Sequence, residues 1–339
     1  MIIRDIIFST DIDKYIEFIP IFQISTCPEN FPKREEMFAH HPYFLDYEVA
    51  NIESKKGLTS YCISNKSKYE DFKESKIPDF ISQQHHNIET KNEILYLINA
   101  LTDSYFFYYG FNEYSSRRSW TISLSKIGEL HYSQEGYLPP VYENKLDKLT
   151  PKQNYEHFDP PMLRLTQKDN LTFKIIRLND LLKLYYSFNK NKLKEEYLNA
   201  CIVFSKSLKL ENYDLSASYV FMVSAIESLI SIEFRNEETK NCSSCSQQMY
   251  KVSKKFKDFI DKYGYKIGNE VKNDFYSLRS NMVHSGKLFS ISYQRKLFIE
   301  NQKDIETTIN NANELNRYKL FKDLTKACFR TFLFDNFKS

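Results

Sequence analysis

Glycine is scarce in this 339-residue chain, with 7 residues, and no G-x-G-x-x-G or Walker pattern occurs. The bare-backbone loops that cradle a dinucleotide or a nucleoside triphosphate are therefore missing. Proline is sparse at 10 residues and tryptophan occurs once. Neither sign of charge dominates: 47 Lys and Arg against 44 Asp and Glu leave +3, too even a balance for composition to reveal a polyanion partner. A long uncharged apolar run is also lacking, and the mean hydropathy is -0.54, so no membrane-spanning helix is expected. The opening MIIRDIIFSTDIDKYIEF sets acids inside what would be the apolar stretch of a secretory signal, and a cytoplasmic location is the expectation. What the chain has in plenty is aromatic: 25 Tyr and 27 Phe, beside abundant Lys, Asn and Ile. AT-rich codon usage accounts for that mixture more simply than a dedicated base-stacking surface does. With 42% hydrophobic and 27% charged residues, the chain has the composition of a globular protein of about two domains.

Six cysteines without a signal peptide are expected to be mostly free thiols. Cys27, Cys62, Cys201 and Cys328 stand alone and read as small buried residues. Cys242 and Cys245 form a C-x-x-C pair, half of a structural zinc site. The other two ligands would come from a partner's loop, from Cys201 or from a histidine; the competing reading is a pair of exposed or redox-sensitive thiols.

The pattern predicts an α+β protein: a mixed, β-rich N-terminal domain over 1–175, followed by an all-α bundle over 176–339. In the first part, 57–64, 104–111 and 119–124 are rich in β-branched and aromatic residues and read as strands. A helix is expected at 90–101, where Ile94, Leu95, Leu97, Ile98 and Leu101 recur at helical spacing. The stretch 138–161, with PP twice, reads as a loop or connection. Further on, helices are expected from Asn179 or Asp180 to Phe188, over Lys192–Leu210, from Asp214 through an apolar central segment, and at about 250–263, 268–284, 292–315 and 317–335. An insertion at about 236–248 carries the cysteine pair.

The segment DFYSLRSNMVHSGKL, residues 274–288, holds the most chemistry. Arg279 and His284 are separated by four residues near a helix end, and Gly286 stands where a C-terminal glycine is expected. Residues five apart on an ideal helix point about 140° away from each other. The two side chains converge only if the helix frays after Val283, or if a second copy supplies half of the site. An arginine can brace the non-bridging oxygens of a phosphodiester with paired hydrogen bonds. A histidine can take a proton from a nucleophile or give one to a leaving group. Spacing alone is weak, since Arg279 pairing with a surface acid and His284 merely ending a helix would give the same pattern.

In order and approximate spacing, AIESLIS at 225–231, SKKFKDFIDKYG at 253–264, LRSNMVHSGKL at 278–288 and YKLFKDLTKACFRTFLF at 318–334 resemble the HEPN superfamily, most closely its Apea-like group. The resemblance covers about 190–335. It implies a four- to five-helix bundle that dimerises with both Arg/His motifs in one cleft, and a metal-independent endoribonuclease activity used by toxins and anti-phage effectors. Arg279 and His284 match its two catalytic residues, and Glu227 matches an acid that orients the arginine. Ser280 stands where active members often carry Asn, Asp or His, with Asn281 next to it. The expected partners are RNA, a second copy of the chain and an antitoxin or defence-system protein. No cofactor is expected for catalysis and no membrane is involved. The first domain would sense a trigger, restrain the activity or position the RNA. The alternative is a non-catalytic HEPN adaptor that binds a partner protein or nucleotide.

Other groupings are weaker. His40-His41 and His85-His86 are expected on surface loops, each pair able to give one metal ligand at best. Arg117-Arg118 beside Trp120 could meet nucleic acid or simply lead into a strand. Lys251, Lys254, Lys255 and Lys257 crowd one helix and read as a solvated face that could also help hold RNA.

Overall fold

The computed structural model describes residues 2–9, 16–18, 21–26, 59–66, 79–107, 121–126, 129–133, 162–165, 174–211, 214–237, 252–289 and 305–338. Most of them are helical. The chain divides into two compact units, Met1–Ile98 with Ser104–Pro160, and Asn99–Asp103 with Pro161–Ser339. The second unit takes in the antiparallel hairpin of β8 (Met162–Leu165) and β9 (Lys174–Arg177), which packs on the terminal helix, so it starts ahead of the expected boundary at 175.

In the first unit, β1 (Ile2–Ser9), β2 (Ile16–Phe18), β3 (Phe22–Thr26), β4 (Thr59–Lys66) and β5 (Phe106–Phe107) pair antiparallel in the order β2-β3-β4-β1-β5. Ile2 faces Lys66 and Ser9 faces Thr59 across the long β1–β4 ladder. A separate hairpin joins β6 (Thr121–Lys126) to β7 (Glu129–Ser133). Helix α1 (Asp79–Leu101) buries Ile94, Leu97, Ile98 and Leu101 completely. It starts eleven residues ahead of the expected 90. Its first turns are polar and carry no apolar stripe, yet Pro78 stands just before them and neither Gly nor Pro interrupts them. The expected connection at 138–161 lies outside the described residues.

The second unit is a bundle. Helix α2 (Leu178–Ser187) enters directly from β9, so Arg177 takes the cap position without a side-chain bond, in place of Asn179 or Asp180. Helices α3 (Asn191–Leu210) and α4 (Leu215–Glu233) follow. Asp214 caps α4, its carboxylate accepting the N–H of Ser216 at 2.9 Å and of Ala217 at 3.0 Å. Among the described helices, α4 is the one long and apolar enough to cross a membrane. Here Tyr219, Met222, Val223, Ala225, Ile226 and Leu229 are fully buried, so core packing accounts for that apolar character.

Helices α5 (Val252–Tyr263), α6 (Asn269–Ser285) and α7 (Ile305–Asn336) complete the unit. The expected break near 316 does not occur: α7 is continuous from Ile305 to Asn336. Its Asn-rich first half is a poor helix former, but it lacks Gly and Pro, and the half that follows is anchored by buried Tyr318, Phe321, Leu324, Phe329 and Phe332. Phe321 is the meeting point of the bundle, with ring centres 4.9 Å from Tyr219 of α4, 4.8 Å from Phe275 of α6 and 6.4 Å from Phe256 of α5. Where α5 ends, a Cβ on Gly264 would stand 2.7 Å from the Leu324 side chain and 2.9 Å from the Ile260 carbonyl, so glycine permits the approach of α7.

Candidate active site

Helix α6 sets the positions of the motif. Phe275 and Met282, seven residues apart, are buried and fix which face meets the bundle. The Tyr219 hydroxyl donates to the Phe275 carbonyl at 2.8 Å, which fixes α6 against α4. With that register, Arg279 of α6 reaches Glu227 of α4: one terminal N–H donates to a carboxylate oxygen at 3.2 Å. The two side chains are 23% and 24% exposed, neither fully solvated nor sealed in. The contact is single-pointed, so it leaves most of the guanidinium's donors free for another acceptor. One of them, Nε, is buried and has no hydrogen-bond partner among the described residues. An orphaned buried donor costs about 1–3 kcal/mol.

His284 is exposed in the last turn of α6. Gly286 closes the helix at φ 63, and the Lys287 N–H returns to the Asn281 carbonyl at 3.3 Å. The helix does not fray after Val283 but continues through Ser285. Arg279 and His284 of one chain therefore diverge. Beyond the helix, the Phe289 N–H donates to the Ser216 hydroxyl at 2.8 Å, returning the chain to the start of α4. Ser280 is half-buried and Asn281 is exposed.

Sequence reasoning passed over two groups, one of them beside the motif. Tyr276 lies one turn before Arg279, its ring centre 5.3 Å from that of Phe256. Burial, and then the Glu227 carboxylate, raise its phenol above the usual range, with Arg279 opposing. The spacing of three from Arg279 was the available signal. Away from the motif, Lys326 on α7 is 3% exposed. Burial lowers its amine to about 8; Asp103 opposes the shift, while Lys322 and Arg330 one turn to either side add to it.

Cys242 and Cys245 lie outside the described residues. Cys201, considered as a zinc ligand, is completely buried, and burial pushes its thiol up, away from the thiolate that a metal needs. Among the described residues no three His, Cys, Asp or Glu side chains group to hold a metal. His85 and His86 stand within α1 rather than on a loop. His40, His41, Arg117, Arg118, Trp120 and Lys251 lie outside the described residues. On α5, Lys254 is exposed and Lys257 half-buried, while Lys255 pairs with Glu237 at 3.1 Å. Comparison with known protein families, with curated proteins and with solved structures finds no match for the chain.

Proposed function

We propose that the chain is a metal-independent endoribonuclease of the HEPN type that works as a homodimer, as a toxin or defence effector. The observation that carries this reading is the state of Arg279: held by Glu227 through one hydrogen bond, on a side chain 23% exposed, with its other donors unpaired among the described residues. A guanidinium so oriented and so unsaturated suits a phosphate oxygen. The exposed His284 completes the chemistry when the second copy brings its own helix end opposite.

RNA carries its own nucleophile. One imidazole takes the proton of the 2′-OH as its oxygen attacks phosphorus, and the 5′-oxygen leaves with a proton from an acid. Arg279 stabilises the charge that grows on the pentacoordinate phosphorane, an interaction stronger in the transition state than in the ground state. The products are a 2′,3′-cyclic phosphate and a 5′-hydroxyl, and DNA, lacking the nucleophile, is left intact. RNA and an antitoxin or defence-system protein are the partners, the cytoplasm is the location, and a β-rich first domain ahead of the bundle supplies sensing or restraint. The C-x-x-C pair would hold a structural zinc, with no role in the bond cleavage.

The test is purified protein incubated with total RNA in EDTA. Wild type cleaves, while Arg279→Ala and His284→Ala each lose at least about 100-fold. Mixing the two variants regains activity, because a heterodimer holds one site with Arg279 and His284 from different chains. Wild type that leaves every RNA uncut, or His284→Ala that cuts as well as wild type, ends the proposal.

A further inference from the structure

We infer that Tyr276 is a substrate contact of this site, its phenol hydroxyl donating a hydrogen bond to a non-bridging oxygen of the scissile phosphate beside Arg279. The inference rests on the RNA-cleaving reading above and names a contact residue that the motif does not contain. Tyr276 precedes Arg279 by three residues on α6, so the two side chains are neighbours on one face. Its ring is braced by Phe256, which is itself completely buried, at a centre distance of 5.3 Å and an interplanar angle of 51°. The brace holds the phenol at a fixed place while the side chain stays partly open to solvent. Its hydroxyl makes no hydrogen bond among the described residues, although it lies within the electrostatic reach of both Glu227 and Arg279.

An aromatic residue placed for packing alone would not need the hydroxyl, since phenylalanine would make the same contact with Phe256. A hydroxyl desolvated next to a carboxylate keeps its proton, which makes it a donor throughout the neutral range. The oxygen atoms of a phosphate drawn to Arg279 present acceptors at the same face, and a hydroxyl donor to a charged acceptor is a strong contact. Tyr276 does not exchange a proton in the reaction. It holds the phosphate while His284 does so.

The test is single-turnover cleavage by wild type, His284→Ala, Tyr276→Phe and Tyr276→Ala, with melting temperatures measured alongside. Tyr276→Phe keeps the ring against Phe256 and is expected to melt with wild type, yet to cleave about 10- to 100-fold more slowly. The loss is the same throughout the neutral range, because the phenol remains protonated there. Replacing a non-bridging phosphate oxygen by sulfur slows wild type more than it slows Tyr276→Phe, a dependence that a purely structural tyrosine would not produce. If wild type cleaves, His284→Ala does not, and Tyr276→Phe matches wild type, the inference fails and the ribonuclease reading stands. It fails in the same way if only Tyr276→Ala is slow, since the ring alone would then suffice. If wild type cleaves nothing, both fall together.

Discussion

At the scale of single residues, the site turns on how a guanidinium is held without being used up. Glu227 makes one contact to Arg279, and both are partly solvated, so the pair itself is worth little to folding, about 0–1 kcal/mol. Its value lies in orientation. Glu227→Gln keeps an acceptor and is expected to lower cleavage about tenfold or less, whereas Glu227→Ala releases the guanidinium and costs more; the melting temperature moves by a few degrees at most, which a thermal scan alongside the activity assay would check. The Arg279–Glu227 contact was anticipated from the resemblance, which set an acid of the earlier helix to orient the arginine. The placement of Tyr276 was not, since it is one of 25 tyrosines and nothing local sets it apart until Phe256 of another helix comes up against it.

At the scale of elements, the ends that carry local chemistry were readable and the ends that do not were missed. Asp214 before α4 and Gly286 after α6 each do a specific thing for the backbone, accepting orphan N–H groups in one case and adopting φ 63 in the other. The start of α1 and the unbroken course of α7 escaped, because polar stretches give no periodicity and their helicity depends on packing elsewhere in the same helix. Packing also singles out Phe321, touched by rings from three other helices. Phe321→Ala would open a cavity where α4, α5, α6 and α7 meet and is expected to cost about 3–5 kcal/mol, read by urea denaturation. Because the register of α6 against α4 depends on this junction, the variant should lose RNA cleavage while still carrying every residue of the motif.

At the scale of the whole molecule, burial rather than the formal charge of +3 controls how stability responds to pH. Lys326 titrates near 8 in the folded protein and near 10.4 in the unfolded chain, so the unfolded state holds more protons between those values. Stability from this group therefore rises as pH increases through 8. Lys322 and Arg330 on the same face of α7, Asp103 from the segment after α1 and Asp323 set the balance. Above about pH 10 the buried Tyr197, Tyr219 and Tyr318, all raised by burial, act in the opposite direction, because the unfolded chain then loses protons that the fold retains. Thermal melts are expected to show a rise from pH 7.5 to about 9.5, and Lys326→Met should be more stable than wild type at pH 7 by about 1–3 kcal/mol and flatten that rise. That the second part of the chain is mostly helical was visible in its patterning. That residues 99–103 belong with the second unit was not, because it depends on Arg330 donating to the Leu101 carbonyl at 2.6 Å from more than two hundred positions along the chain.

Cys201 and Cys328 sit fully enclosed within α3 and α7, with thiols that burial keeps protonated. They are built-in reporters of opening: an alkylating reagent reaches them only when the bundle comes apart, so the rate at which they are modified in native buffer becomes a clock for global exposure. A protein that passes activity tests but tags both sulfurs quickly would be one that breathes apart between turnovers.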